Sequence, residues 1–130
     1  MTSTNGSISS TNELRVYSEE AFDEQMRQIK SGAVQRSVLV QFSAPWCRRC
    51  PPITSHIQSL TMRREFEWIY VNVADTRFAV ERFELSQLPA VVIYANALSD
   101  EYVVHQGVTV QQLDQLTAHC PSKLVFDEDF

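Results

Sequence analysis

Apolar side chains recur along this chain in two rhythms, and the switches between them mark out its elements. Leu14-Arg15-Val16-Tyr17 alternates apolar and polar positions like a short strand, and Ser18-Glu19-Glu20 follows as a helix start with acid in the first turn. Phe22, Met26 and Ile29 then fall on one helical face, with Ser31-Gly32 as the stop. Val38 to Phe42 is rich in β-branched residues and reads as a central strand. Ile53, Ile57 and Leu60 predict a helix running to about Met62, Trp68 to Val73 a buried strand, and Phe78 to Phe83 a short helix. Leu88 to Tyr94 is a fourth strand with proline at its start, where a missing N–H is tolerable. Tyr102 to His105 is a fifth, closed by a turn at Gly107, and Thr109 opens a last helix carrying Leu113 and Leu116 and ending near Cys120-Pro121. The predicted order is β-α-β-α-β-α-β-β-α, without internal repeats.

A chain of 130 residues suits one domain with a real core. We divide it into an N-terminal arm (1–12) too polar to pack, a folded domain (13–121) and an acidic C-terminal tail (122–130). The net charge of −5, from 11 Lys and Arg against 16 Asp and Glu, argues against a nucleic-acid surface. No stretch approaches the roughly 20 apolar residues that cross a bilayer, so no membrane role is expected. Met1 to Asn12 lacks both the basic start and the apolar centre of an export signal and the arginines of a mitochondrial presequence. Three cysteines without an export signal suit a reducing compartment, and a cytoplasmic location is expected.

The chemistry concentrates where the central strand runs into Trp46-Cys47-Arg48-Arg49-Cys50. A strand that ends in Cys-x-x-Cys reads as a dithiol site. Placed near a helix N-cap, Cys47 would meet unsatisfied N–H groups and the positive end of the helix dipole, making it a candidate low-pKa nucleophile with Cys50 as resolving partner. A zinc site would need four ligands, and no second Cys-x-x-Cys or His-x-x-x-His pair supplies them. Pro51-Pro52 falls, on this count, just past the position where a helix best tolerates proline. His56 is nearly two helical turns beyond Cys50 and reads as a surface or packing residue, while spacing names no partner for His105 or His119. Trp68 reads as core. Cys120 reads as a small packing residue, with a regulatory or intermolecular disulfide as the competing role.

Together these residues resemble the thioredoxin family. The likeness covers roughly residues 13 to 120 and rests on the element order, the strand leading into Trp46-Cys47-Arg48-Arg49-Cys50, and the proline in Leu88-Pro89-Ala90. It implies an α/β thioredoxin fold, a central mixed β-sheet of four to five strands flanked by helices on both faces. It further implies that Pro89 is cis and lies against the dithiol, that the Leu88 backbone pairs with an extended substrate, that Trp46 shields the dithiol and contacts substrate, and that Gly107 is a close-approach glycine beside the same groove.

Three departures from the family pattern bear on function. Protein-reducing thioredoxins usually carry Gly-Pro between the cysteines, a buried Asp in the preceding strand, and a Lys paired with that Asp. Here those places hold Arg48-Arg49, Gln41 and Tyr70. Gln41 cannot act as a general base, so slower resolution of mixed disulfides is expected. Arg48 and Arg49 would stabilise a Cys47 thiolate and shift the couple above about −270 mV, the value of thioredoxin, or else bind the carboxylates of glutathione-like thiols or an acidic protein surface.

The resemblance implies a thiol-disulfide oxidoreductase that acts on protein disulfides, is recharged by an upstream reductase or small dithiol, and works as a monomer. It needs no bound cofactor, since the dithiol carries both electrons. The alternative is a thioredoxin-fold interaction module with little or no redox turnover, favoured by the missing acid, the unusual dipeptide and the acidic tail.

Overall fold

The computed structural model describes residues 13–16, 18–31, 36–96 and 101–122, with side chains from residue 18 onward. The readings of residues 1–12 and 123–130, and the expected stop at Gly32, lie outside the described residues. The elements follow the predicted order: β1 (Glu13–Val16), α1 (Glu19–Lys30), β2 (Val38–Ser43), α2 (Cys50–Thr61), β3 (Glu67–Asn72), α3 (Phe78–Arg82), β4 (Ala90–Tyr94), β5 (Val103–Gln106) and α4 (Val110–Leu116). They build a five-stranded mixed sheet in the order β1-β3-β2-β4-β5. β1 and β2 run parallel to β3, whereas β4 is antiparallel to both β2 and β5.

The alternation of side chains along β2 divides the core in two. Val38, Val40 and Phe42 join Phe22 and Met26 of α1 and Ala79 of α3 on one face. Leu39 joins Ile53, Ile57 and Leu60 of α2, Leu113 of α4 and Trp68 of β3 on the other. Every β2 residue is buried, as expected of a strand covered on both faces. Gln41 follows Leu39 at the two-residue period, so its side chain is directed to the α2 face.

Local signals set most of the boundaries. The Ser18 hydroxyl accepts from the Ala21 N–H at 3.0 Å and starts α1. Thr109 and Gln112 form a reciprocal capping box that starts α4. α3 ends in a Schellman turn: Glu84 adopts a left-handed φ of 53°, and the Leu85 N–H donates to the Val80 carbonyl at 3.0 Å. That turn brings Val80 and Leu85 to the same side of the molecule as the dithiol.

Two boundaries differ from the sequence reading. α2 begins at Cys50 with Arg49, not Cys47, as its N-cap. Pro51 and Pro52 therefore stand in the first turn, where the backbone N–H has no intrahelical acceptor in any case, and they cost the helix no hydrogen bonds. α4 stops at Leu116 rather than near Cys120, because the Thr117 hydroxyl bonds back to the Leu113 carbonyl and a tight turn from Thr117 to Cys120 follows. Beyond α4, Ser122 pairs with Arg64 as an isolated antiparallel bridge.

Candidate active site around Cys47 and Cys50

Two consecutive tight turns carry the chain from the C-terminal end of β2 into α2. The Cys47 N–H donates to the Ala44 carbonyl at 3.1 Å and the Cys50 N–H to the Cys47 carbonyl at 3.3 Å. The second turn folds the two cysteines together as a disulfide with Cα atoms 5.4 Å apart. Their surroundings differ. Cys47 is half-buried and lines a cavity, whereas Cys50 is only 2% exposed.

The helix end contributes less to the sulfurs than the sequence implied. Cys47 precedes α2 by a turn, the Cys50 N–H is already engaged, and Pro51 and Pro52 have no N–H to offer. Positive charge near Cys47 comes instead from Arg48 and Arg49. Both are exposed and line the same cavity of about 410 Å³. The remaining lining is mainly apolar, from Trp46, Val73, Val80, Leu85 and Leu88, with Ser86 and Gln87 adding polar groups. Trp46 is 68% exposed, so it presents its ring to solvent beside the dithiol.

Beneath the dithiol, Gln41 is fully buried and satisfied on both sides of its amide. The Trp68 indole N–H donates to Gln41 Oε1 at 3.1 Å, Gln41 Nε2 donates to Thr54 Oγ1 at 2.7 Å, and Thr54 Oγ1 donates to the Cys50 carbonyl at 3.2 Å. Because an indole can only donate and a backbone carbonyl can only accept, the direction of every bond is fixed. None of these three side chains ionises near neutral pH, so none is basic enough to take a proton from Cys50. Sequence reasoning singled out Gln41 but missed Thr54, and it assigned Trp68 to packing alone. The Leu39↔Trp68 register and the i, i+4 relation of Cys50 to Thr54 are the signals that lead to both.

The loop before β4 completes the groove. Leu88-Pro89 is a cis peptide, as the resemblance implied, and the Pro89 carbonyl accepts from the Val108 N–H at 3.1 Å. Gln106 of β5, which sequence reasoning also missed, holds this loop. Its Oε1 accepts from the Ser86 N–H at 2.7 Å and from the Gln87 N–H at 2.9 Å. Gly107 follows with φ of +63°, and a Cβ there would meet Gln87 Oε1 at 2.9 Å. Gly107→Ala is expected to lower unfolding free energy in urea by about 1–2 kcal/mol, from the left-handed backbone, and to displace Gln87 from the groove.

The other weighed residues lie apart from the cavity lining. His56 pairs with Asp114 of α4 at 2.7 Å across the α2–α4 contact. His119 Nε2 is 2.9 Å from the Ser37 hydroxyl and 3.8 Å from Cys120 Sγ. Cys120 is 3% exposed and packs in the core on the α2 face. Burial pushes its thiol pKa up, with the Ser37 hydroxyl and the Arg64 charge pulling partly back. No cluster of three or more His, Cys, Asp or Glu side chains among the described residues could hold a metal, and no described helix is long and apolar enough to cross a membrane.

The sequence model of the thioredoxin family matches residues 13–119. The chain belongs to the thioredoxin family. Among solved structures, reduced thioredoxin pre-protein of Schistosoma mansoni superposes with a TM-score of 0.71 at 18% identity, over 82% of this chain and 95% of that one. Oxidised thioredoxin O2 of Arabidopsis thaliana superposes with a TM-score of 0.68 at 20% identity, over 86% of this chain and 96% of that one. At such identities the likeness is one of fold. Thioredoxin domain-containing protein 2 of Rattus norvegicus is 28% identical over 96 residues, which make up 73% of this chain but only 17% of the relative's length. The residues that differ from the family pattern, Arg48, Arg49 and Gln41, thus sit on a thioredoxin domain whose disulfide-forming pair is in place.

Proposed function

We propose that the protein is a thiol-disulfide oxidoreductase acting on protein disulfides through Cys47 and Cys50. The observation that carries this reading is the unequal exposure of the two sulfur-bearing residues, with Cys47 lining an open cavity and Cys50 covered. In the reduced protein the Cys47 thiolate attacks one sulfur of a substrate disulfide, and the other substrate sulfur leaves as a thiolate that takes a proton from solvent. The Cys50 thiolate then attacks Cys47, closing the protein disulfide and releasing the second substrate thiol. Two electrons pass from protein to substrate, and an upstream reductase or small dithiol in a reducing compartment, the cytoplasm, restores the dithiol. Trp46, Leu88, Pro89 and Gly107 form the substrate groove in this reading.

Arg48 and Arg49 favour the thiolate and hence the reduced protein, so the couple is more oxidising than that of thioredoxin. A Cys50→Ser variant tests the mechanism. It should accumulate covalent mixed disulfides with substrate proteins through Cys47, visible on nonreducing gels and lost in Cys47→Ser/Cys50→Ser. The neutral hydrogen-bond chain under Cys50 favours a second reading, an interaction module with little turnover. Partners captured equally by the Cys50→Ser variant and the double variant, without covalent adducts, would establish that reading instead.

A further inference from the structure

We propose that the groove selects protein disulfides in which the attacked cysteine is flanked by an apolar residue and a carboxylate, with Arg48 and Arg49 as the specificity-determining residues for the acid. The proposal rests on the oxidoreductase reading above and adds the chemistry of the substrate. Among the described residues Arg27, Arg36 and Arg82 each pair with a carboxylate, whereas Arg48, Arg49, Arg63, Arg64 and Arg77 do not, and of these five only Arg48 and Arg49 line the cavity. No ion pair among the described residues involves Arg48 or Arg49, although both line the cavity beside Cys47. Two cations beside the reacting sulfur without a carboxylate partner among the described residues, in a chain with net charge −5, are a local reversal of sign, complementary to an acidic segment. The guanidinium fork matches a carboxylate in geometry as well as charge.

The rest of the lining decides between two sources of carboxylate. Glutathione disulfide offers carboxylates but no large apolar side chain. Val80, Leu85, Leu88 and the exposed ring of Trp46 present apolar surface that a peptide with Leu or a similar residue beside its cysteine would cover. An acidic peptide disulfide satisfies both halves of the site.

The test uses full-length protein, reduced beforehand and freed of reductant, in single-turnover reactions with three probes. Two are peptide disulfides of equal length with Leu on one side of cysteine and either Glu or Gln on the other, and the third is oxidised glutathione. At low salt the second-order rate constant for the Glu peptide should exceed that for the Gln peptide by about tenfold, the worth of one or two exposed ion pairs. The ratio should fall toward one in 1 M salt, where the screening length is about 3 Å, and in Arg48→Gln/Arg49→Gln. The Glu peptide should also outpace glutathione disulfide. Equal rates for the Glu and Gln peptides overturn the proposal, as does a double variant that slows both by the same factor, since the arginines then act on the thiolate alone. Faster reaction of glutathione disulfide overturns the peptide half. Reduction of no probe, by protein shown to hold two reactive thiols, sinks the oxidoreductase reading itself and the proposal with it.

Discussion

Gln41→Asp should accelerate release of the mixed disulfide by roughly tenfold or more, a conservative figure beside the roughly 10²–10⁴-fold that a well-positioned general base contributes. The wild-type chain beneath Cys50 has donors and acceptors but no base: Trp68 gives its only proton to Gln41, Gln41 gives one to Thr54, and Thr54 gives its own to the Cys50 carbonyl. A carboxylate at this fully buried position could still accept from Trp68 and, unlike the amide, hold a proton from the Cys50 thiol, directly or through a water. Burial would push its pKa above the usual carboxylate range and bring it toward working pH. The same shift has a stability cost with a definite sign. A carboxyl whose folded pKa exceeds its unfolded value of about 3.9 leaves stability unaffected below that pH and lowers it increasingly as pH rises toward the folded pKa. Stopped-flow tryptophan fluorescence of the resolving step from pH 5 to 9, beside urea titrations at the same pH values, reads both effects. An unchanged resolving rate across that range would show that proton removal from Cys50 does not limit turnover.

The second large effect concerns the reduction potential. Arg48→Gln/Arg49→Gln should lower the potential of the Cys47–Cys50 couple by about 20–60 mV, in the direction of the roughly −270 mV of thioredoxin. The upper part of that range corresponds to poorly screened charges and the lower part to exposed ones, and the exposure of both side chains points to the lower. Helix-end stabilisation of the thiolate is weak here, because Cys47 stands a turn before α2 and two of the first-turn residues are proline. The arginines therefore carry most of any shift above thioredoxin. Equilibration in defined thiol-disulfide buffers at two salt concentrations measures it, and the difference between wild type and variant should shrink at high salt. An identical potential in the two proteins would mean that solvent screens the arginines entirely, leaving substrate recognition as their remaining role.

The element order was legible in the sequence because helix and strand periodicities are properties of short windows. Ser18 before an acidic turn, Thr109 three residues ahead of Gln112, and the apolar run from Val38 each carry their instructions within a few residues. The N-cap of α2 was misplaced by two residues, Cys47 for Arg49, for a physical reason. A Cys-x-x-Cys pair can precede a helix or open it, and what decides is the pair of turns from Ala44 to Cys50 closed by backbone hydrogen bonds. The end of α4 was misplaced because the apolar spacing continues to Cys120 while the backbone has already turned.

By itself, then, the sequence determined the order of nine elements, the position of the dithiol at the end of the central strand, and the residues that depart from the family pattern. Only the tertiary structure decided what those departures touch. Gln41 meets Trp68 across 27 positions of sequence and Thr54 across 13, and Gln106 holds a loop some 20 residues before it. Such partners are chosen by strand register and by which face of the sheet a helix covers. Those are outcomes of burying two apolar surfaces at once, and no short window of sequence contains them.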